Sequence, residues 1–254
     1  MKLRRSFSPH QLFFAVALGW SLALPGAMAQ DRVTTKDGRT QEVKIVGVSG
    51  SNLQIQVGAG SIGVPMRNIA SITMAAPPEF AQAQKAYDAK DYKKALSATK
   101  ALVDKFKGLP VDWAREATGR LGDIYVALNQ LPEAEKAYLD FQKTYGDQGG
   151  GSPQSDVGLA RIALSKKDYA QAKSKLEPVT AKALSEKQPP ANLTTTYSQA
   201  FYLLGQVNEA ENDYPAALEN YLRTVTLFYH DNTAVAAAQQ RADALRKEHG
   251  AKVP

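Results

Sequence analysis

Asp-Tyr-x-x-Ala is written three times in this chain, at Asp91-Tyr92-x-x-Ala95, Asp168-Tyr169-x-x-Ala172 and Asp213-Tyr214-x-x-Ala217. A degenerate copy, Gln130-Leu131-x-x-Ala134, stands between the first two. Each copy joins two segments of helical character, so the unit is helix-turn-helix. A recurring unit of that kind stacks on its neighbours to bury its apolar faces, which makes the region an α-solenoid that presents surface to partners. The acid before each second helix complements the positive helix N-terminus, and the tyrosine beside it covers the apolar seam while its hydroxyl stays wet. A catalytic acid is needed once, so equivalent placement in three units assigns these aspartates to capping and packing.

The N-terminus follows an export pattern. Lys2, Arg4 and Arg5 precede an apolar run from Leu12 to Leu24, and Ala27-Met28-Ala29 offers a cleavage site before Gln30. The run is shorter than the ~20 residues of a spanning helix, which favours a cleaved signal over an anchor. Arg4-Arg5-Ser6-Phe7 also matches the start of a twin-arginine signal, so the export route stays open between folded and unfolded translocation. The chain carries 31 Lys+Arg against 25 Asp+Glu, and residues 1–29 hold three of those bases and no acid. The remainder, 28 against 25, has a net charge of +3, too small for a nucleic-acid footprint. There is no cysteine. Disulfides, thiolate metal sites, cysteine nucleophiles and a lipidated cysteine are thereby excluded. The expectation is a soluble periplasmic protein, not a lipoprotein, with no transmembrane segment after cleavage.

Residues 30–76 carry strand patterns. Leu53-Gln54-Ile55-Gln56-Val57 alternates strictly, Val43-Lys44-Ile45 does the same, and glycine-containing turns punctuate the stretch. Five short strands are expected, near 31–35, 41–48, 52–57, 61–66 and 70–74, in a meander curled toward a barrel. The closing segment, Val64 to Ile72, resembles the end of an SH3-like or Sm-like small barrel. A module this small is marginal alone. It is therefore expected to pack on the first helices or, alternatively, to pair its edges with another copy or an envelope protein. Ala75-Ala76-Pro77-Pro78 marks the boundary to a helical domain over 77–250, followed by a tail at 251–254.

Leu121-Gly122-x-x-Tyr125 with Ala134 and Tyr138, and Leu204-Gly205 with Asp213, Tyr214, Ala217 and Tyr221, resemble the tetratricopeptide repeat. In that family a small residue on the first helix of a unit meets a small residue on the second. The resemblance thus assigns repeat packing to Ala83 with Ala95, Gly122 with Ala134, Ala160 with Ala172, and Gly205 with Ala217. The spacings of 39, 38 and 45 residues exceed the family period and place the excess in loops, at Gly146–Pro153 and Glu186–Asn192. Long spacings and the segment Tyr221–Tyr229 before a last helix look like the family's envelope branch, the BamD-like and YbgF (CpoB)-like proteins. That last helix, about Thr233 to His249, places Val235, Ala238, Ala242 and Leu245 on one stripe, with Gly250 as its stop, as a solenoid cap does.

Family geometry implies a concave protein-binding face on the first helices, offering Arg120, Asp123, Arg161, Tyr202 and Gln206. A carboxylate clamp needs more basic and amide groups than Arg120 and Arg161 supply, which speaks against capture of a peptide C-terminus. No catalytic set accompanies these residues. Histidine occurs only as His10, His230 (expected at a helix end) and His249, and no G-x-S-x-G, phosphate loop or H-E-x-x-H is present. The expected function is a non-enzymatic adaptor for a protein or peptide partner in the bacterial envelope, with no cofactor, metal or nucleic acid. The alternative is a structural subunit of an envelope complex, in which the β module is the specific contact or the element of homo-oligomerisation.

Overall fold

The computed structural model describes residues 30–146 and 152–250. The signal peptide, most of the glycine-rich loop and the C-terminal tail expected above lie outside the described residues. The described residues from Asp31 onward cluster as one compact unit.

Six strands open the described chain: β1 (Asp31–Thr35), β2 (Thr40–Val43), β3 (Ile45–Ser49), β4 (Asn52–Val57), β5 (Gly60–Pro65) and β6 (Ile69–Thr73). They form two three-stranded antiparallel sheets, ordered β2-β1-β6 and β3-β4-β5. This corrects the expectation of five strands. The segment expected as one strand over 41–48 breaks at Lys44, where the chain leaves one sheet for the other. Two hydrogen bonds hold that corner. Ile45 donates its N–H to Asp31 Oδ2 at 2.9 Å, and Lys44 accepts at its carbonyl from Gln56 N–H at 2.9 Å. A 3-10 turn, Met66–Asn68, carries the chain back between β5 and β6.

Val33, Ile45, Leu53, Ile55, Val64 and Ile69 form one apolar cluster with Phe80, Leu102, Val103, Phe106, Leu109 and Trp113. The strands therefore share their core with the first helices, as a module too small to bury its own must. Strand and helix backbones approach closely there. A Cβ on Gly47 of β3 would lie 2.8 Å from the Lys105 carbonyl oxygen.

The helices are α1 (Pro78–Asp88), α2 (Tyr92–Phe106), α3 (Asp112–Ala127), α4 (Leu131–Tyr145), α5 (Pro153–Ser165), α6 (Tyr169–Ser185), α7 (Thr194–Ala210), α8 (Tyr214–Thr226) and α9 (Asn232–His249). They make four antiparallel pairs and a last single helix, the helical array that the repeat pattern implies. In every pair the same turn recurs. Lys90, Asn129, Lys167 and Asn212 all adopt positive φ, between 57° and 64°. The next residue then donates its N–H back into the first helix, from Asp91, Gln130, Asp168 and Asp213 to the carbonyls of Ala86, Tyr125, Ala163 and Asn208. That is the Schellman closure, which satisfies carbonyls left open at a helix end. The three aspartates also open the second helix, each side chain accepting from the N–H of Lys94, Gln171 or Ala216 at 3.0–3.2 Å. One residue thus ends one helix and begins the next. Gln130 performs only the first half, since its side chain caps nothing.

All eight small residues assigned to repeat packing are buried. The last helix differs from expectation in detail. Its buried stripe is Ala234, Ala238, Ala242 and Leu245, one residue off at its start, and Gly250 stands at its end with a helical φ of −52°. His230 lies in the turn between α8 and α9 and stacks on Tyr229.

Candidate protein-binding face

The first helices of the pairs, α1, α3, α5 and α7, pack directly on one another in succession, and α7 packs on α9. Successive second helices lack contacts of that extent. The first helices are thus the tighter layer, so the stack bends with them on its inside.

Polar side chains on that inner layer meet across each helix boundary. Gln84 of α1 donates to Glu116 Oε1 of α3 at 2.9 Å. Arg120 of α3 also bonds Glu116, and its guanidinium lies 5.1 Å from the Tyr87 ring centre on α1. Asp123 of α3 stands 4.0 Å from Arg161 Nη1 of α5. Arg161 donates through Nη2 to Gln199 Oε1 of α7 at 2.9 Å. Gln199 in turn donates to Asp231 Oδ2 at 2.6 Å, and the other oxygen of Asp231 caps α9. Farther along, Gln206 donates to the Tyr202 hydroxyl at 3.1 Å, and Glu209 of α7 takes Arg241 of α9. A continuous polar ladder therefore joins α1 to α9.

The structure brings Arg120, Asp123 and Arg161 together at the middle of this ladder. Tyr202 and Gln206 form a second group beside Glu209, Tyr221 and Arg241, which line a shallow depression with Gln206. Sequence reasoning missed Gln84, Glu116, Gln199, Glu209 and Arg241. It also missed a motif that occurs twice. Tyr138 donates its hydroxyl to Asp123 at 2.6 Å, and Tyr221 donates to Glu209 at 2.7 Å; each acid then faces an arginine of the next first helix. The signal was present in the sequence. Both tyrosines stand four residues after the small residue of the second helix, and both belong to units with Gly122 or Gly205, not alanine, on the first helix.

Burial governs the protonation of this cluster. It pushes the Tyr87 phenol up to about 12 and holds Tyr138 well above its ordinary range, so both hydroxyls stay protonated, and that of Tyr138 donates to Asp123. Burial also raises the Asp123 carboxyl above its ordinary 3.8, against the lowering effects of Arg161, the Tyr138 hydrogen bond and Arg120. The sign follows. A carboxyl whose folded pKa lies above its unfolded value weakens the fold when ionised; that cost is full above the folded pKa and is lost as pH falls from the folded to the unfolded value. Asp123→Asn keeps an acceptor for Tyr138. It is expected to raise the thermal midpoint at pH 7, with the gain fading as pH is lowered toward the carboxyl's ordinary 3.8. Melts from pH 7 to pH 4 check this, and an unchanged or lower midpoint at pH 7 refutes it.

Among the described residues no group of three or more His, Asp or Glu side chains is placed to hold a metal ion. No helix among them is long and apolar enough to cross a membrane.

No family model matches the chain, and no curated protein does. Among solved structures it is similar to "MamA RS-1 ArsTM double mutant" at 16% identity and a TM-score of 0.44, over 70% of this chain and 89% of that one. "Crystal structure of MamA" stands at 18% identity and 0.44, over 70% and 88%. "MamA 41-end from Desulfovibrio magneticus RS-1" stands at 16% and 0.42, over 70% and 94%.

Proposed function

We propose that this chain is a non-enzymatic, exported scaffold of the bacterial envelope that grips a protein or peptide segment along the inner face of its helical array. The observation that carries the reading is the polar ladder. The first helices and α9 present amide, carboxylate, guanidinium and phenol groups along one layer, which is the chemistry an extended polypeptide requires of a groove. Arginine and tyrosine are also the residues that carry most binding energy at protein interfaces.

The test is a crosslinking pull-down from envelope extracts with the wild-type chain, with Arg120→Glu/Arg161→Glu, and with Lys136→Glu on the outer helix α4 as a charge-change control. Circular dichroism confirms that each variant is folded. The groove variant is expected to lose partners that the control keeps. An identical partner set from both removes the inner face as the binding surface.

A second reading, with the β module as the specific contact of an envelope complex, is favoured by one observation, the uncharged sheet β3-β4-β5. Deleting residues 31–76 cannot test it, because the deletion would strip the shared core from α1–α3. A surface substitution on that sheet is required.

A further inference from the structure

Between Lys44 and Arg67 the chain has no charged residue, although 22% of the whole chain is charged. That stretch is the entire second sheet, β3-β4-β5. Its β3 edge runs against α2, at the close approach of Gly47 to Lys105. Its β5 edge is open. Gly60, Ser61, Ile62 and Gly63 are all exposed, and among the described residues β4 is the only element that packs extensively on this strand.

Backbone direction on that edge follows from one hydrogen bond. Gln56 donates its N–H to Lys44, on the β3 side of β4. Residues of an antiparallel pair alternate between facing their neighbour and facing away. Ser61 stands opposite Gln56 and Gly63 opposite Gln54, so both turn their N–H and C=O groups away from β4. Such an edge is a template for another strand, and natural proteins blunt it with charge, proline or a cover. The first sheet does so: Arg32 pairs with Glu42 across β1 and β2, and Trp113 bonds the chain just past β6, at the Met74 carbonyl. Over Gly60–Val64, β5 has none of these.

The side chains add an apolar row. Ile62 stands opposite Ile55, and Val57 lies two residues after Ile55, so both share the face that carries the buried Leu53 and Val64. At the hairpin tip this face runs out past the core, leaving Val57 46% and Ile62 41% exposed.

We infer that β5 pairs antiparallel with β5 of a second copy of this chain, about a two-fold axis at Ile62. Ser61 then exchanges two hydrogen bonds with Gly63 of the second copy, and Gly63 two with its Ser61. Ile62 meets its own counterpart as the non-hydrogen-bonded pair, the closer of the two antiparallel spacings. The two sheets become one of six strands. A two-fold axis sets each residue near its own copy, so charges on this edge would repel their like. The absence of any charge on the sheet is what identifies a second copy as the occupant. The inference is independent of the groove.

The contact is small, below about 1,200 Å², and belongs to the weak class, so dimerisation is expected at micromolar concentration. Sedimentation velocity of the purified full chain from about 1 µM to about 300 µM should show a monomer–dimer equilibrium. Ile62→Lys, at an exposed position that leaves the fold intact by circular dichroism, should keep the chain monomeric throughout. The chain has no cysteine, so Ile62→Cys should oxidise to a disulfide-linked dimer, while Gln41→Cys on the exposed face of β2 should not. Three outcomes overturn the inference: a wild-type chain that stays monomeric, a dimer that survives Ile62→Lys, or equal crosslinking of the two cysteine variants. All three leave the groove reading standing.

Discussion

Replacing Trp113 with alanine is expected to cost about 3–5 kcal/mol and to release the strands before the rest of the array. Trp113 sits in the first turn of α3 and is 7% exposed. Its ring lies edge-on to Phe106 of α2 at 5.1 Å and tilted to Phe80 of α1 at 6.1 Å, and its indole N–H donates to the Met74 carbonyl at 3.2 Å. One side chain thus joins three helices to the segment that leaves the last strand. Removing it opens a cavity in the cluster that contains Val33, Leu53 and Ile69. Two sheets of three short strands cannot bury enough apolar surface without that support. Hydrogen exchange is the measurement with the needed resolution. Protection should fall most over residues 31–73 and in α1–α3, and least in α7–α9, whose core residues belong to other clusters. Trp113→Phe keeps the packing and loses the bond to Met74, so it should cost about 1 kcal/mol. Strand amides in Trp113→Ala that stay as protected as in wild type would show that the sheets stand without the helices.

The array was legible in the sequence because its signal is local. In Asp91-Tyr92-x-x-Ala95 the aspartate closes one helix and caps the next, and the alanine packs within the same pair. Four or five residues therefore suffice to define the unit. The strand count was not legible for the opposite reason. Val43-Lys44-Ile45 alternates as one strand would, and the change of sheet at Lys44 depends on Asp31 and Gln56, both more than ten residues away. The candidate face was half legible. Arg120, Asp123, Arg161, Tyr202 and Gln206 follow from the geometry that the repeat resemblance implies, which says which side of each first helix faces inward. Periodicity does not reveal which group on one helix reaches which on the next. Glu209 and Arg241, 32 residues apart, were therefore invisible until the helices were stacked. The stripe of α9 differs at its first member because Ala234 and Val235 are both apolar, and only the packing of α9 on the stack selects the alanine.

Gly158→Ala is expected to cost about 2–3 kcal/mol, although alanine is worth up to about 1 kcal/mol more than glycine inside a helix. A Cβ on Gly158 of α5 would lie 2.2 Å from Tyr138 Cζ, and one on Gly122 of α3 would lie 2.4 Å from Cε1 of the same ring. Two such positions cannot share one side of a ring, so the glycines stand against its two faces. The ring has nowhere to retreat. Tyr138 is 1% exposed, and displacing it would also take its hydroxyl from Asp123, leaving a half-buried carboxylate without that donor. Gly119→Ala is the control within α3. Its Cβ would meet the Phe141 ring at 3.4 Å, close to ordinary contact, so helix propensity should leave that variant neutral or up to about 1 kcal/mol more stable. The chain itself supplies the rescue. Leu176 stands in the third unit at the position of Tyr138, so leucine is a side chain this position of the repeat accepts, and it has no ring for a Cβ at 158 to strike. Gly158→Ala/Tyr138→Leu should therefore be more stable than the sum of the two single costs, by about 1 kcal/mol or more in a double-mutant cycle followed by urea denaturation. Additive costs would mean that Gly158 is required by something other than the ring. The joint between the second and third units would then owe less to the ring than to Ile162 and to the Gln142–Asp156 and Lys166–Glu135 bonds between α4 and α5.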